Sequence, residues 1–286
     1  MTKRVVIWRR VVSAIAAGIG VAASVTVHAQ SVAPLPLLAA SAAMAVHAPV
    51  HPWQVAAPHS AADAYFTNLE DNATIQTPYL LKFGLSGGWG VAPIAKPLGG
   101  KSGHHHLLIN RDLPLDFKKA LPFNEQYVHF GKGQMETVLT LDPGTYTLRL
   151  LLADSGHLPH FVYSKPVRVT VTAKNKAIDP KSLVVPGIAL LHIAPGQALK
   201  RPVHLQFHAS GFNVGFAEQK EKGTGHFRLT VSGASGKPAE MVFDRGQTEA
   251  WISPPPGSYT FKLELMDNTE RGKTMVASPA LNVKVE

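Results

Sequence analysis

The chain matches itself. Leu81-Lys82-Phe83 followed by Ser86-Gly87 parallels Leu205-Gln206-Phe207 followed by Ser210-Gly211, and Gly103-His104 parallels Gly225-His226. Further on, Phe130-Gly131-Lys132-Gly133-Gln134-Met135-Glu136 parallels Phe243-Asp244-Arg245-Gly246-Gln247-Thr248-Glu249, and Pro143-Gly144-Thr145-Tyr146-Thr147 parallels Pro256-Gly257-Ser258-Tyr259-Thr260. Because the blocks keep their order, any fold for one half must also serve the other. Within each half, short apolar runs alternate with polar residues and are broken by Gly, Pro and Asn, the pattern of an all-β sandwich. The Pro-Gly-x-Tyr turn entering a strand is similar to the tyrosine corner of immunoglobulin-like sandwiches, where the phenol bonds back to nearby backbone. The expectation is all-β: two tandem immunoglobulin-like antiparallel β-sandwich domains, residues 64–173 and a diverged repeat at 188–286, joined by a linker at 174–187 that carries Asn175, Pro180 and Pro186.

Ahead of the repeat, Lys3, Arg4, Arg9 and Arg10 precede an apolar run from Val11 to Val27, and Val27-His28-Ala29 supplies a small-x-small cleavage pattern. Residues 1–29 therefore read as a signal peptide. The run is near the lower limit for a membrane span, but its Gly, Ala and Ser content favours cleavage. The expected mature protein is periplasmic or secreted, with no membrane association after signal removal. Residues 30–63, rich in Ala, Pro and His without a period, read as a flexible arm. The formal net charge of +9 falls to +5 without the four cationic residues of the signal. That charge is too small and dispersed for a nucleic-acid partner. With no cysteine, disulfides are excluded, and a transition metal would have to be held by His, Met, carboxylate or water.

The repeat also serves as an internal control. Residues present in both copies are explained by the shared fold, so Gln134 and Glu136, repeated as Gln247 and Glu249, are expected to make structural hydrogen bonds, and Asp154, repeated as Asp267, is expected to be structural too. The histidines behave oppositely. His105 corresponds to Phe227, His106 to Arg228, His129 to Val242, His157 to Glu270 and His160 to Lys273, and only His104 keeps a partner, in His226. Strand side chains alternate, so His104 and His106 share one face while His105 points to the core. His129 is expected on the same outward face, with His157 or His160 completing a shell of neutral imidazoles for copper or zinc. Leu113 to Phe123, absent from the second copy, is expected to form a rim beside these strands.

Five blocks together resemble a known family. These are Tyr65-Phe66-Thr67-Asn68-Leu69, Gly90-Val91-Ala92-Pro93, Gly103-His104-His105-His106-Leu107-Leu108-Ile109, His129 to Glu136 and Pro143 to Leu148. In this order they resemble the bacterial domain-of-unknown-function family 4399, in one clear copy at about 64–171 and one diverged copy at about 188–286. Asp154, His157, Pro159 and His160 fit its closing block. The resemblance implies a secreted or periplasmic protein with no established reaction.

From the residues themselves, the leading expectation is a non-enzymatic carrier or buffer of copper or zinc, bound at His104, His106, His129, His157 and His160, with no organic cofactor. The alternative is an envelope module that binds a periplasmic protein or a glycan without metal. A metalloenzyme ranks third, because no general base, Ser-His-Asp order or P-loop is marked out.

Overall fold

The structure, a computed structural model, describes residues 50–58, 63–94, 100–114 and 116–286. The expected signal peptide and most of the expected arm lie outside the described residues. Among the described residues no helix is long and apolar enough to cross a membrane.

The remainder is two β-sandwiches built to one plan. In the first, a sheet of Ala64–Phe66, Tyr79–Leu85 and Glu136–Leu139 faces a seven-stranded sheet. The central strands of that larger sheet are Val167–Lys174, Gly144–Ala153 and Ser102–Ile109. In the second, Gly187–Leu191, Val203–Ser210 and Glu249–Ile252 face a sheet centred on Leu281–Val285, Gly257–Asp267 and Thr224–Gly233. The sequence period explains the layers. Phe227, Leu229 and Val231 are buried while Arg228 and Thr230 are half-exposed, and this alternation presents one apolar face to the opposing sheet. Phe83 and Phe130 occupy in the first core the places of Phe207 and Phe243 in the second, with ring centroids 5.0 Å and 4.7 Å apart. Both Pro-Gly-x-Tyr turns form the expected corner: Tyr146 donates to the Asp142 carbonyl at 2.9 Å and Tyr259 to the Pro255 carbonyl at 2.8 Å. Between the sandwiches, Pro180–Leu183 forms one turn of 3-10 helix capped by Asp179.

One segment departs from the expected free arm. Gln54–Val55 forms an antiparallel strand on Trp251–Ile252 of the second sandwich, and Trp53 packs on that core beside Tyr259. Pairing here satisfies the backbone of an otherwise open sheet edge, a contact that local composition does not encode.

The two copies meet through repeated residues placed reciprocally. Val91 N donates to the Gly246 carbonyl at 2.8 Å, and the equivalent Val214 N donates to the Gly133 carbonyl at 2.8 Å. Gly133 (φ +89°) and Gly246 (φ +74°) are required at both contacts, since a Cβ would lie 2.1 Å from the Val214 oxygen and 2.2 Å from the Val91 oxygen respectively. Gln134 and Gln247 close their own turns, accepting from Lys132 N and Arg245 N. Glu136 instead crosses to the second sandwich. It accepts from His208 Nε2 at 2.9 Å, Ser210 Oγ at 2.8 Å and Gly211 N at 3.0 Å. In return, Tyr65 of the first sandwich donates to Glu249 at 3.0 Å. The repeated Gln-x-Glu is thus structural, as the internal control implies, but half of its work is to join the copies.

Candidate metal centre

The histidine strand Ser102–Ile109 lies in the middle of the larger sheet of the first sandwich, paired with Gly144–Ala153 on one side and Tyr127–His129 on the other. Its alternation sends His105 inward, where the ring meets Phe83 edge-on at 4.8 Å. His104 and His106 go outward, yet both are fully buried, because other elements cover this face. His129 is the direct cross-strand neighbour of His106. His157 arrives from the loop after Ala153, held at a positive φ of 64°. That turn is closed by Asp154, whose Oδ1 accepts from Gly156 N and Leu158 N at 2.8 and 2.9 Å. Asp267 closes the equivalent loop through Thr269 N and Glu270 N, so the aspartate is structural in both copies.

One ligand nitrogen each from His104, His106, His129 and His157 lies within 4.8 Å of all the others. His104 Nε2 and His106 Nε2 are 2.9 Å apart, and His129 Nε2 and His157 Nε2 are 3.3 Å apart. Four ligands at the usual zinc–imidazole distance have tetrahedral edges of about 3.3 Å, so two of the contacts have nearly ligand-shell length and the widest separation needs only modest side-chain rotation. His160 is not in this group. Its ring packs on Trp89 at 4.8 Å and bonds to the Ser102 backbone, and its Nε2 is buried without a partner. It follows His157 by three residues but sits on the next strand, Pro159–Tyr163, with its ring turned to Trp89.

Electrostatics favour the neutral form of His104, His106 and His129. Burial is the largest cause, followed by the neighbouring imidazoles, and together they push His104 down to about 2 and His106 down to about 3. His129 is lowered by burial and then by His157. His105 is pushed to about 3 by burial alone. Neutral imidazoles present lone pairs, the form a metal requires. Two neutral rings meeting Nε2 to Nε2 can share only one proton, and the Nδ1 atoms of His104 and His106 are buried with no partner. Protein hydrogen bonds alone leave this cluster under-satisfied, a state buried polar groups rarely keep. A cation accepting several Nε2 lone pairs at once is the species that such a donor set suits.

The insertion supplies the cover. Leu121 N donates to the His157 carbonyl at 2.9 Å, and Leu121, with Leu113 and Phe117, packs on Leu108, Leu151 and Ala153. Phe123, 63% exposed, lies over the site with its ring 4.6 Å from His157 and 5.2 Å from His129. The second copy keeps the frame and changes the chemistry. There His226 bonds to Asn268 at 2.7 Å, and Arg228, at the His106 position, pairs with Glu264 at 2.8 Å.

Sheet pairing, core and corners define a protein of two immunoglobulin-like β-sandwiches in tandem, the first with a histidine tetrad under an inserted cap. The chain belongs to the family described as Domain of unknown function (DUF4399), which matches residues 81–172 and again 205–286. No curated protein matches it. Among solved structures, it is similar to the fibronectin(III)-like modules of Clostridium thermocellum CbhA, at 10% identity over 78% of this chain and 92% of that one, with a TM-score of 0.25. It is also similar to a two-domain fibronectin type-III segment of chicken tenascin, at 13% identity over 78% of this chain and 97% of that one, with a TM-score of 0.20. These scores are low, and the strand pairing itself carries the fold assignment.

Proposed function

We propose that this is an exported, periplasmic protein that binds one copper or zinc ion at His104, His106, His129 and His157, and carries or buffers it without catalysing a reaction. The observation that carries the reading is the convergence of four imidazole nitrogens within 4.8 Å on the copy that has the histidines, while the same frame in the other copy holds an ion pair. All-nitrogen donors suit Cu(II) or Zn(II) better than Cu(I), which prefers sulfur. The N-terminal signal pattern supports export, and the neutral His104 and His106 rings support binding there. Elemental analysis of the purified chain, with Cu(II) and Zn(II) titrations beside a His106→Ala, His129→Ala double variant, tests it. One ion per chain, lost in the variant, is the expected result. No binding, or binding unchanged in the variant, would sink the proposal.

A second reading, an interaction module of the envelope, is favoured by the exposed Phe123, Leu158, Phe161 and Tyr163, carried by the insertion, the His157 loop and the strand Pro159–Tyr163 that follows it. Capture of a partner that is independent of metal and lost on Phe161→Ser would favour it over the carrier.

A further inference from the structure

The first sandwich carries a second polar feature that does not involve the histidines. Arg149, on the strand Gly144–Ala153 opposite Leu108, has its Nε buried without a hydrogen-bond partner, and no ion pair involves it among the described residues. The second copy shows how a cation in this place is otherwise served. Lys262 stands at the Arg149 position with its Nζ 3.3 Å from Glu264, the carboxylate that also takes Arg228. In the first copy Leu151 replaces Glu264. The cation has been kept and its internal anion removed, which leaves the Nε donor of the half-exposed Arg149 buried and unmet, a state that costs free energy.

Arg149 lines a groove of about 530 Å³ at the edge of the sandwich, together with Lys165, Asp63, Phe66, Tyr163 and Val167. We propose that this groove binds a small monocarboxylate with an apolar or aromatic body. The planar guanidinium fork matches a carboxylate, which can accept two of its N–H groups, and Lys165, exposed and without an ion pair among the described residues, adds a second positive charge. Phe66, Tyr163 and Val167 offer walls to the apolar body. Asp63 is exposed in the same groove; its charge lowers the local potential and selects a monoanion over phosphate or a di-acid.

The site is testable without metal, so its failure is separable from failure of the histidine proposal. Calorimetric titration of the full chain, stripped with chelator, uses 3-phenylpropionate as probe, 3-phenylpropanol as its neutral analogue and inorganic phosphate as a bare anion. The expected result is saturable binding of 3-phenylpropionate alone, weakened about tenfold or more in Arg149→Gln and less in Arg149→Lys, which keeps the charge and loses the fork. If Arg149→Gln does not fold, as judged by circular dichroism, Arg149→Lys and Lys165→Gln carry the comparison. Absence of saturable binding at millimolar probe, binding of the alcohol or of phosphate as tight as that of the acid, or full affinity in the variants would each overturn the proposal.

Discussion

His105 lets burial be read out as acid lability. Its ring is fully buried against Phe83, neither nitrogen has a partner, and burial holds it near 3. In the unfolded chain the same ring titrates near 6.5. The folded value is depressed, so at intermediate pH the unfolded state binds the extra proton, and stability present above about pH 6.5 is lost as pH falls toward 3. The loss approaches about 1.4 kcal/mol per pH unit inside that window, or about 2 kcal/mol between pH 7.5 and pH 5 for this ring alone. The second copy supplies the substitution. Phe227 takes the His105 position and meets Phe207 at 5.3 Å, as His105 meets Phe83 at 4.8 Å. His105→Phe should therefore fit the frame with a modest, pH-independent packing term. Urea unfolding of metal-free protein at pH 7.5 and pH 5 measures the difference between variant and wild type, which should move by about 2 kcal/mol in favour of the variant at the lower pH. An identical pH dependence in the two proteins would show that His105 is not a neutral core residue, and would refute the reasoning from burial.

Metal retention in acid gives a second check. A site of four imidazoles with ordinary values near 6.5 would lose about 10⁶ in affinity between pH 7 and 5 through proton competition. Since His104 and His106 sit at about 2 and about 3, they add nothing to that loss, and Zn(II) titrations should show a fall smaller than that by about 10³. Gly133→Ala places a Cβ 2.1 Å from the Val214 oxygen at a φ of +89°, and should lower the unfolding free energy by about 2 kcal/mol or more; a stability equal to wild type would show that the inter-copy contact is not formed in solution. Tyr259→Phe, which removes only the bond to the Pro255 carbonyl, should cost about 1 kcal/mol by the same measurement, and a cost indistinguishable from zero would discount the corner as a stabilising feature.

Much of the frame was legible because it depends on local pattern and on repetition. Period-two runs place Phe227, Leu229 and Val231 inside whatever strand pairs with them, and the same arithmetic sends His105 in and His104 and His106 out. The asymmetry of the two copies separated Gln134 and Glu136 from the histidines before any contact was visible. Strand alternation could not tell His157 from His160, three residues apart, because the choice rests on a turn with a positive φ at His157 and on Trp89 taking the His160 ring. Nor could it show that Glu136 reaches His208, 72 residues away, since nothing local to either residue refers to the other.

The amino-acid sequence by itself determined the fold class, the duplication and the face on which each strand histidine lies, because these follow from the alternation of side chains along a strand and from the order of matching blocks. Only the tertiary structure decided which imidazoles converge, how Phe123 and the insertion bury an outward face, and how the two sandwiches lock through Gly133, Gly246, Glu136 and Glu249. Those outcomes depend on distances between segments far apart in the chain, set by sheet register and close packing rather than by any residue's immediate neighbours.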